Sequence, residues 1–203
     1  MLSTNDRVKT AWILISISSV LTTSIVFWFV GDPQRFIETR IGFRDGIFDN
    51  LYVWLFALLI VIGYVGYTII ALPFVKEHLF EISWLKLIGI WAAIVTGIVE
   101  EVLFRQFLMD FLQGLNISDI LQILISGVVF GLAHGAWGLL RGEVKIVIPV
   151  VISTTVLGCL LASLYIMTDR STFAPIIAHV LINLKIEPWL MLSAVSGKWK
   201  NVN

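Results

Sequence analysis

Charged residues are scarce in this sequence, which has 14 basic and 14 acidic side chains among 203 residues. Soluble globular domains carry about 25% charged residues. This chain has 14% charged and 58% hydrophobic residues, and its mean hydropathy is +0.94. The composition excludes an ordinary soluble domain and predicts an integral membrane protein.

The single cysteine and the zero net charge also restrict which bonds and partners the sequence predicts. Cys159 is the one cysteine of the sequence, so no disulfide can form within the chain, and we expect it to be a small hydrophobic residue of an apolar helix. The formal net charge is zero, which gives no reason to expect a nucleic-acid partner.

Long uncharged runs make up most of the chain. About 20 apolar residues are enough for a helix to cross a ~30 Å hydrocarbon core. The runs predict an all-α, polytopic membrane helix bundle with about six transmembrane segments, forming a single domain over residues 1–203. The predicted spans are Ala11–Val30, Leu51–Val75, Leu87–Leu112, Ile120–Leu140, Ile146–Met167 and Phe173–Val195.

Two of these spans have special features. The fourth carries glycines spaced four, four and three residues apart, which predicts close helix packing in lipid; they are Gly127, Gly131, Gly135 and Gly138.

The sixth span is interrupted by polar residues and a proline after Leu184, so it either spans or bends. A bend at membrane depth is tolerated where it lines a polar cavity.

The distribution of Lys and Arg predicts the orientation. With six alternating spans, eight basic residues fall on the side of the two termini and four on the other. The positive-inside rule then predicts that both termini are cytoplasmic in a multi-pass protein of the cell membrane, specifically a bacterial inner membrane.

Three ionisable residues interrupt the third span. Each of Glu100, Glu101 and Arg105 would cost about 2.5–3.5 kcal/mol at the centre of a membrane helix, so such residues indicate a functional site. Glu101 and Arg105 are four residues apart with the acid first, which favours an ion pair. Glu100 is turned about 100° from Glu101 and is left free for chemistry.

Histidines in two later spans are the expected partners of Glu100. Phe130 and His134 share one helix face by their spacing of four, and His179 and Asn183 do the same in the sixth span. His78 lies in a charged loop, where we expect a solvated surface role.

Two chemistries fit a glutamate and two histidines. One is a zinc site with an open position, although the sequence has no H-E-x-x-H helix and no C-x-x-C pair. The other is acyl hydrolysis without metal or cofactor, in which a carboxylate or imidazole takes a proton from water and nearby donors stabilise the oxyanion. A serine nucleophile is disfavoured because no G-x-S-x-G motif occurs.

At these residues the chain resembles the CAAX protease and bacteriocin-processing family of intramembrane glutamic endopeptidases, which includes the ras-converting CAAX endopeptidase. Three short motifs carry the resemblance within residues 89–188, the expected catalytic core. They are Glu100-Glu101-x-x-x-Arg105, Phe130-x-x-x-His134 and His179-x-x-x-Asn183.

The resemblance implies that Glu100 and His134 activate water and that His179 and Asn183 bind the oxyanion, without metal. The candidate catalytic residues are therefore Glu100, Glu101, His134, His179 and Asn183, with Arg105 as a structural ion-pair partner and Phe130 as motif support. The substrate implied is a membrane-associated peptide or protein, met at the lipid bilayer, and oligomeric state is left open. About six spans are fewer than the eight of the eukaryotic enzyme.

Two other functions fit the same residues. One is a non-catalytic membrane immunity or binding protein of the same family, in which the polar residues hold the helices together. The other is a proton-coupled carrier, although the chain shows no obvious inverted repeat.

Overall fold

The computed structural model describes residues 3–136 and 144–200, with side chains for 3–136 and 147–199. Its α-helices, in chain order, are α1 Thr4–Gly31, α2 Leu51–Ala71, α3 Pro73–His78, α4 Trp84–Glu101, α5 Leu108–Gly114, α6 Asp119–His134, α7 Val144–Met167, α8 Phe173–Ile186 and α9 Trp189–Ser196. Short π-helical segments occupy Ile37–Ile41 and Val102–Phe107, and a 3₁₀ turn occupies Lys198–Lys200. The described part of the chain contains no strand, which confirms the all-α class.

The helices confirm a polytopic membrane bundle but differ from the predicted count of six spans. Four are long and apolar enough to cross a membrane, and α8 with α9 makes a fifth if that bent pair is one span. The predicted fourth span corresponds to α6, whose 16 residues form a shorter apolar helix. At 1.5 Å per residue it is about 24 Å long, less than a ~30 Å core. The predicted end of that span, with Gly138 and Leu140, lies outside the described residues.

The predicted third span is a 31-residue helical segment, Trp84–Gly114, that changes its winding midway. Ser83 begins it by accepting a hydrogen bond from the Lys86 backbone N–H. The π-helical segment starts at Val102, immediately after the two glutamates. Single π-helical turns inside α-helices occur frequently at functional sites.

Glycines bring α6 and α7 into close contact. A Cβ on Gly131 would lie 2.7 Å from the Val151 carbonyl oxygen and 2.9 Å from the Thr155 backbone nitrogen. One on Gly127 would lie 2.9 Å from the Cys159 backbone nitrogen. The predicted close packing of this glycine-rich span is therefore present, with α7 as the partner and the two helices antiparallel.

Helices α4 and α8 are also antiparallel and close. A Cβ on Gly97 would lie 3.2 Å from the Val180 backbone nitrogen, and one on Gly89 would lie 2.6 Å from Pro188 Cδ. Because these two contacts are far apart along both helices, they fix the register between α4 and α8. The register places the acidic residues of α4 opposite His179.

The sixth predicted span breaks after Ile186. Helices α8 and α9 meet at 51°, with Glu187 and Pro188 between them. Trp189 and Leu192 of α9 are fully buried, and they belong to the main core together with residues of α2 and α8. Of the two expectations for this segment, the structure has the bend.

The close contact between α6 and α7 gives a test of this packing. Gly131→Leu should lower the free energy of unfolding by at least about 1–3 kcal/mol, because a side chain there overlaps the α7 backbone. Thermal unfolding in detergent measures the effect. Gly63→Leu is the matched control, since a Cβ on Gly63 meets nothing within 4 Å. Equal unfolding temperatures for the two variants would contradict the helix contact.

Candidate active site

The candidate residues meet at a cavity of about 440 Å³ inside the bundle. Its carboxylate, imidazole and amide groups come from α4, α6, α8 and the residue that follows α8, whereas α2 and α7 contribute hydroxyl groups and apolar residues. The predicted site residues among its lining are Glu100, Phe130, His134, His179 and Asn183. Glu101 and Arg105 are fully buried behind it.

Glu100 projects towards both histidines. Its Oε2 atom lies 3.7 Å from His134 Nε2 and 3.8 Å from His179 Nε2. These separations are too long for direct hydrogen bonds. Oε2 is buried and has no hydrogen-bond partner among the described residues. The carboxylate is therefore held close to two imidazoles without being bonded to either.

The other ring nitrogen of each histidine has a partner. His134 Nδ1 is 2.9 Å from the Phe130 carbonyl oxygen, and His179 Nδ1 is 2.8 Å from Glu101 Oε1. A carbonyl oxygen and an ionised carboxylate only accept hydrogen bonds, so both Nδ1 atoms carry the proton. When either ring is neutral, its Nε2 atom presents a lone pair to Glu100.

Glu101 and Arg105 form a buried ion pair behind His179. Arg105 Nε donates to Glu101 Oε2 at 2.8 Å, and Nη2 donates to Oε1 at 3.3 Å. Arg105 Nη1 donates to Ser126 Oγ at 2.8 Å, and that hydroxyl donates to the Phe104 carbonyl oxygen at 2.8 Å. The pair thus links α4, the π-helical segment, α6 and α8.

Phe130 is a fully buried spacer between the charged groups. Its ring centroid is 4.9 Å from the Arg105 guanidinium carbon, 4.4 Å from the His134 ring and 5.7 Å from the His179 ring. The guanidinium over the ring is a cation–π contact. An aromatic residue here separates Arg105 from the cavity and supports both imidazoles.

Asn183 lies one helical turn beyond His179. Its Nδ2 atom donates to Thr96 Oγ1 at 3.1 Å, and that hydroxyl donates to the Ala92 carbonyl oxygen at 2.8 Å. Because the Thr96 proton is used in this way, its oxygen accepts from Asn183, which fixes the orientation of the amide. The second N–H of Asn183 Nδ2 remains available to a group in the cavity.

The arrangement suits proton transfer to or from a small polar molecule. Three acceptor atoms converge when both rings are neutral and Glu100 is ionised, so the site favours a proton or a donor among them. The described residues contain no group of three His, Cys, Asp or Glu side chains arranged as a metal site.

Sequence reasoning did not assign roles to three residues at this site. Thr96 precedes Glu100 by four residues and holds Asn183, and that spacing was the available signal. Ser126 bonds Arg105 from another helix, which no local spacing reveals. Glu187 lines the cavity four residues after Asn183.

Comparison with known proteins identifies a family whose sequence model covers these motifs. The sequence model of the family described as type II CAAX prenyl endopeptidase Rce1-like matches residues 82–185, which include all three motifs. No curated protein and no solved structure matches the chain. The matched region is half of the chain, and its family consists of membrane proteases that act on peptides or proteins. The chain is thus a multi-pass membrane protein that belongs to the Rce1-like family of type II CAAX prenyl endopeptidases.

Proposed function

We propose that this protein is a glutamate-type intramembrane endopeptidase that hydrolyses a peptide bond of a membrane-associated peptide or protein. The carrying observation is that Glu100 Oε2, buried and unbonded among the described residues, faces the Nε2 atoms of His134 and His179 at 3.7 and 3.8 Å. The catalytic core is residues 89–188, within a single membrane domain.

Glu100 and His134 activate the attacking water. A water held between them donates one hydrogen bond to Glu100 Oε2 and one to the lone pair of His134 Nε2. Glu100 takes the proton as the water oxygen bonds to the scissile carbonyl carbon. When the carbon–nitrogen bond then breaks, the same proton passes to the departing amine, so the carboxylate is regenerated.

His179 and Asn183 stabilise the oxyanion. The free N–H of Asn183 Nδ2 is one donor. The other is His179 Nε2–H, which exists when the ring is an imidazolium because Nδ1–H already donates to Glu101. With that imidazolium, the carboxylates of Glu100 and Glu101 are balanced by the charges of Arg105 and His179.

Glu101 and Arg105 are positioning residues. Glu101 holds the His179 ring and selects its protonated nitrogen, while Arg105 balances the Glu101 charge and joins it to Ser126. The chemistry needs no metal, because carboxylate, imidazoles and amide together supply the base and both donors.

The membrane placement is also part of the proposal. If α6 is counted as a span, the chain crosses the membrane six times and both termini lie on the same side. The excess of Lys and Arg on that side favours a cytoplasmic location of the termini in a bacterial inner membrane.

Removing the base should abolish cleavage while leaving the fold intact. Glu100→Gln should lower kcat for cleavage of a quenched peptide library by at least about 100-fold, because the amide cannot accept the proton of water. Thermal unfolding in detergent checks the fold. The control is Glu77→Gln, which removes an exposed carboxylate outside the cavity. Wild-type activity in Glu100→Gln, with normal accumulation, would favour the non-catalytic immunity or binding function.

Removing the guanidinium should instead act through stability. Arg105→Met leaves Glu101 buried without its cation and should cost about 3–5 kcal/mol of unfolding free energy. Adding Glu101→Gln should recover part of that loss, since both buried charges are then gone. Arg35→Met is the exposed control. An Arg105→Met protein as stable as this control would show that the pair is not structural.

Chelation tests the absence of a metal requirement. Cleavage by protein purified in the presence of EDTA or 1,10-phenanthroline should equal that of untreated protein, because all the proposed proton transfers use side chains. A complete loss of activity that zinc alone restores would replace this mechanism with a zinc-dependent one.

A further inference from the structure

Glu187 is a second carboxylate of the cavity and has no part in the chemistry above. It lines the same cavity as Glu100, and the residue is 8% exposed. Its Oε2 atom is buried and has no hydrogen-bond partner among the described residues. A buried carboxylate oxygen without a donor is costly, so it points to a ligand that supplies one.

Stabilisation of the end of α8 does not explain why a carboxylate lies at position 187. Glu187 is at the carboxyl end of α8, where the helix dipole disfavours a negative charge. Lys86 Nζ already satisfies that end by donating to the carbonyl oxygens of Leu184 at 2.7 Å and Glu187 at 2.8 Å. The Lys86 charge acts on the carboxylate, and the Met191 backbone N–H bonds to it from α9. Its Oε2 atom still has no hydrogen-bond partner among the described residues.

The position of Glu187 relative to the reaction centre follows from its spacing. His179 and Asn183 lie four residues apart on α8, Glu187 follows Asn183 by four as the residue after the end of that helix, and all three line the cavity. The Glu187 backbone N–H donates to the Asn183 carbonyl oxygen at 2.9 Å, so the helical spacing extends to this residue. Four residues at 1.5 Å each place Glu187 about 6 Å along the helix axis from the oxyanion donor.

Helix α4 holds this part of the chain in place. A Cβ on Gly89 would lie 2.6 Å from Pro188 Cδ and 3.1 Å from the Glu187 carbonyl carbon. Lys86, one turn earlier, is bonded to the same bend. The carboxylate is therefore presented from a fixed backbone, as a recognition site requires.

We propose that Glu187 determines specificity by binding the cationic side chain of a Lys or Arg residue in the peptide substrate. A cation with N–H donors favours the ionised form of a buried carboxyl group, which then only accepts hydrogen bonds. An extended peptide advances about 3.3–3.6 Å per residue, so 6 Å corresponds to about two residues from the scissile bond. The role of this residue in cleavage rests on the proposed endopeptidase function.

A binding measurement tests the proposal without relying on cleavage. The probes are fluorescein-labelled decapeptides of alanine and leucine with a single Lys moved along the sequence, each paired with a peptide that has Gln at that position. Anisotropy is measured on detergent-purified Glu100→Gln protein. At one position or two adjacent positions, the Lys peptide should bind at least about tenfold more tightly than its Gln partner, as expected for a charged hydrogen bond.

The variants identify the residue responsible. Adding Glu187→Gln should reduce the Lys preference to about twofold or less. Adding Glu187→Lys should shift the preference to a peptide with Glu at the same position. Adding Glu77→Gln should leave the preference unchanged. Thermal unfolding of each variant in detergent checks that it is folded.

Three results would overturn the proposal. They are no Lys preference at any position, a preference that survives Glu187→Gln, and an equal loss of affinity for the Lys and Gln peptides. The last would mark Glu187 as a residue that only supports α9. Failure of the endopeptidase function is distinguishable, because it appears as absent cleavage by wild-type protein while a Lys preference that depends on Glu187 persists.

Discussion

The buried ion pair between Glu101 and Arg105 is the interaction on which the site depends. Both side chains are fully buried, and three hydrogen bonds from the guanidinium join Glu101 to Ser126 of α6. The remaining contact of Glu101 is with His179 of α8. A carboxylate that is neutralised in this way can hold an imidazole in a low-dielectric interior without leaving an uncompensated charge. The position of the His179 ring is thus set by a residue from another helix.

The two glutamates differ because their surroundings use them differently. Adjacent residues on a helix point about 100° apart, so one faces the protein interior and the other the cavity. Glu101 is satisfied by Arg105 and His179, whereas Glu100 Oε2 has no partner among the described residues. Hydrogen bonds at Nδ1 turn the Nε2 atom of each histidine towards Glu100. The position of Glu100 Oε2, unbonded and facing both histidines, therefore results from bonds made by its neighbours.

Local spacing predicted the contacts within single helices and little beyond them. Residues four apart share a face, so the Glu101–Arg105 contact and the shared face of His179 and Asn183 followed from the sequence. The contacts of Glu101 with His179 and of Asn183 with Thr96 depend on the register between α4 and α8. That register is set by glycines at which the two backbones approach each other. A single sequence does not show which residue of the other helix each glycine contacts.

The membrane spans and the winding of the helices were also predicted only in part. Hydropathy located each apolar run because the bilayer imposes a minimum length. It did not indicate that the regular helix of α6 ends at His134.

The π-helical segment after Glu101 had no signal in composition or periodicity. It retains the contact between Glu101 and Arg105 while the winding of the helix changes, and Arg105 also reaches Ser126 from this segment. Between Glu100 and Arg105 the helix therefore faces three neighbours: Glu100 faces the cavity, Glu101 bonds to α8 and Arg105 bonds to α6. At this crossing of helices the buried Glu101 carboxylate is partnered by Arg105 and His179, while Glu100 Oε2 stays unbonded among the described residues.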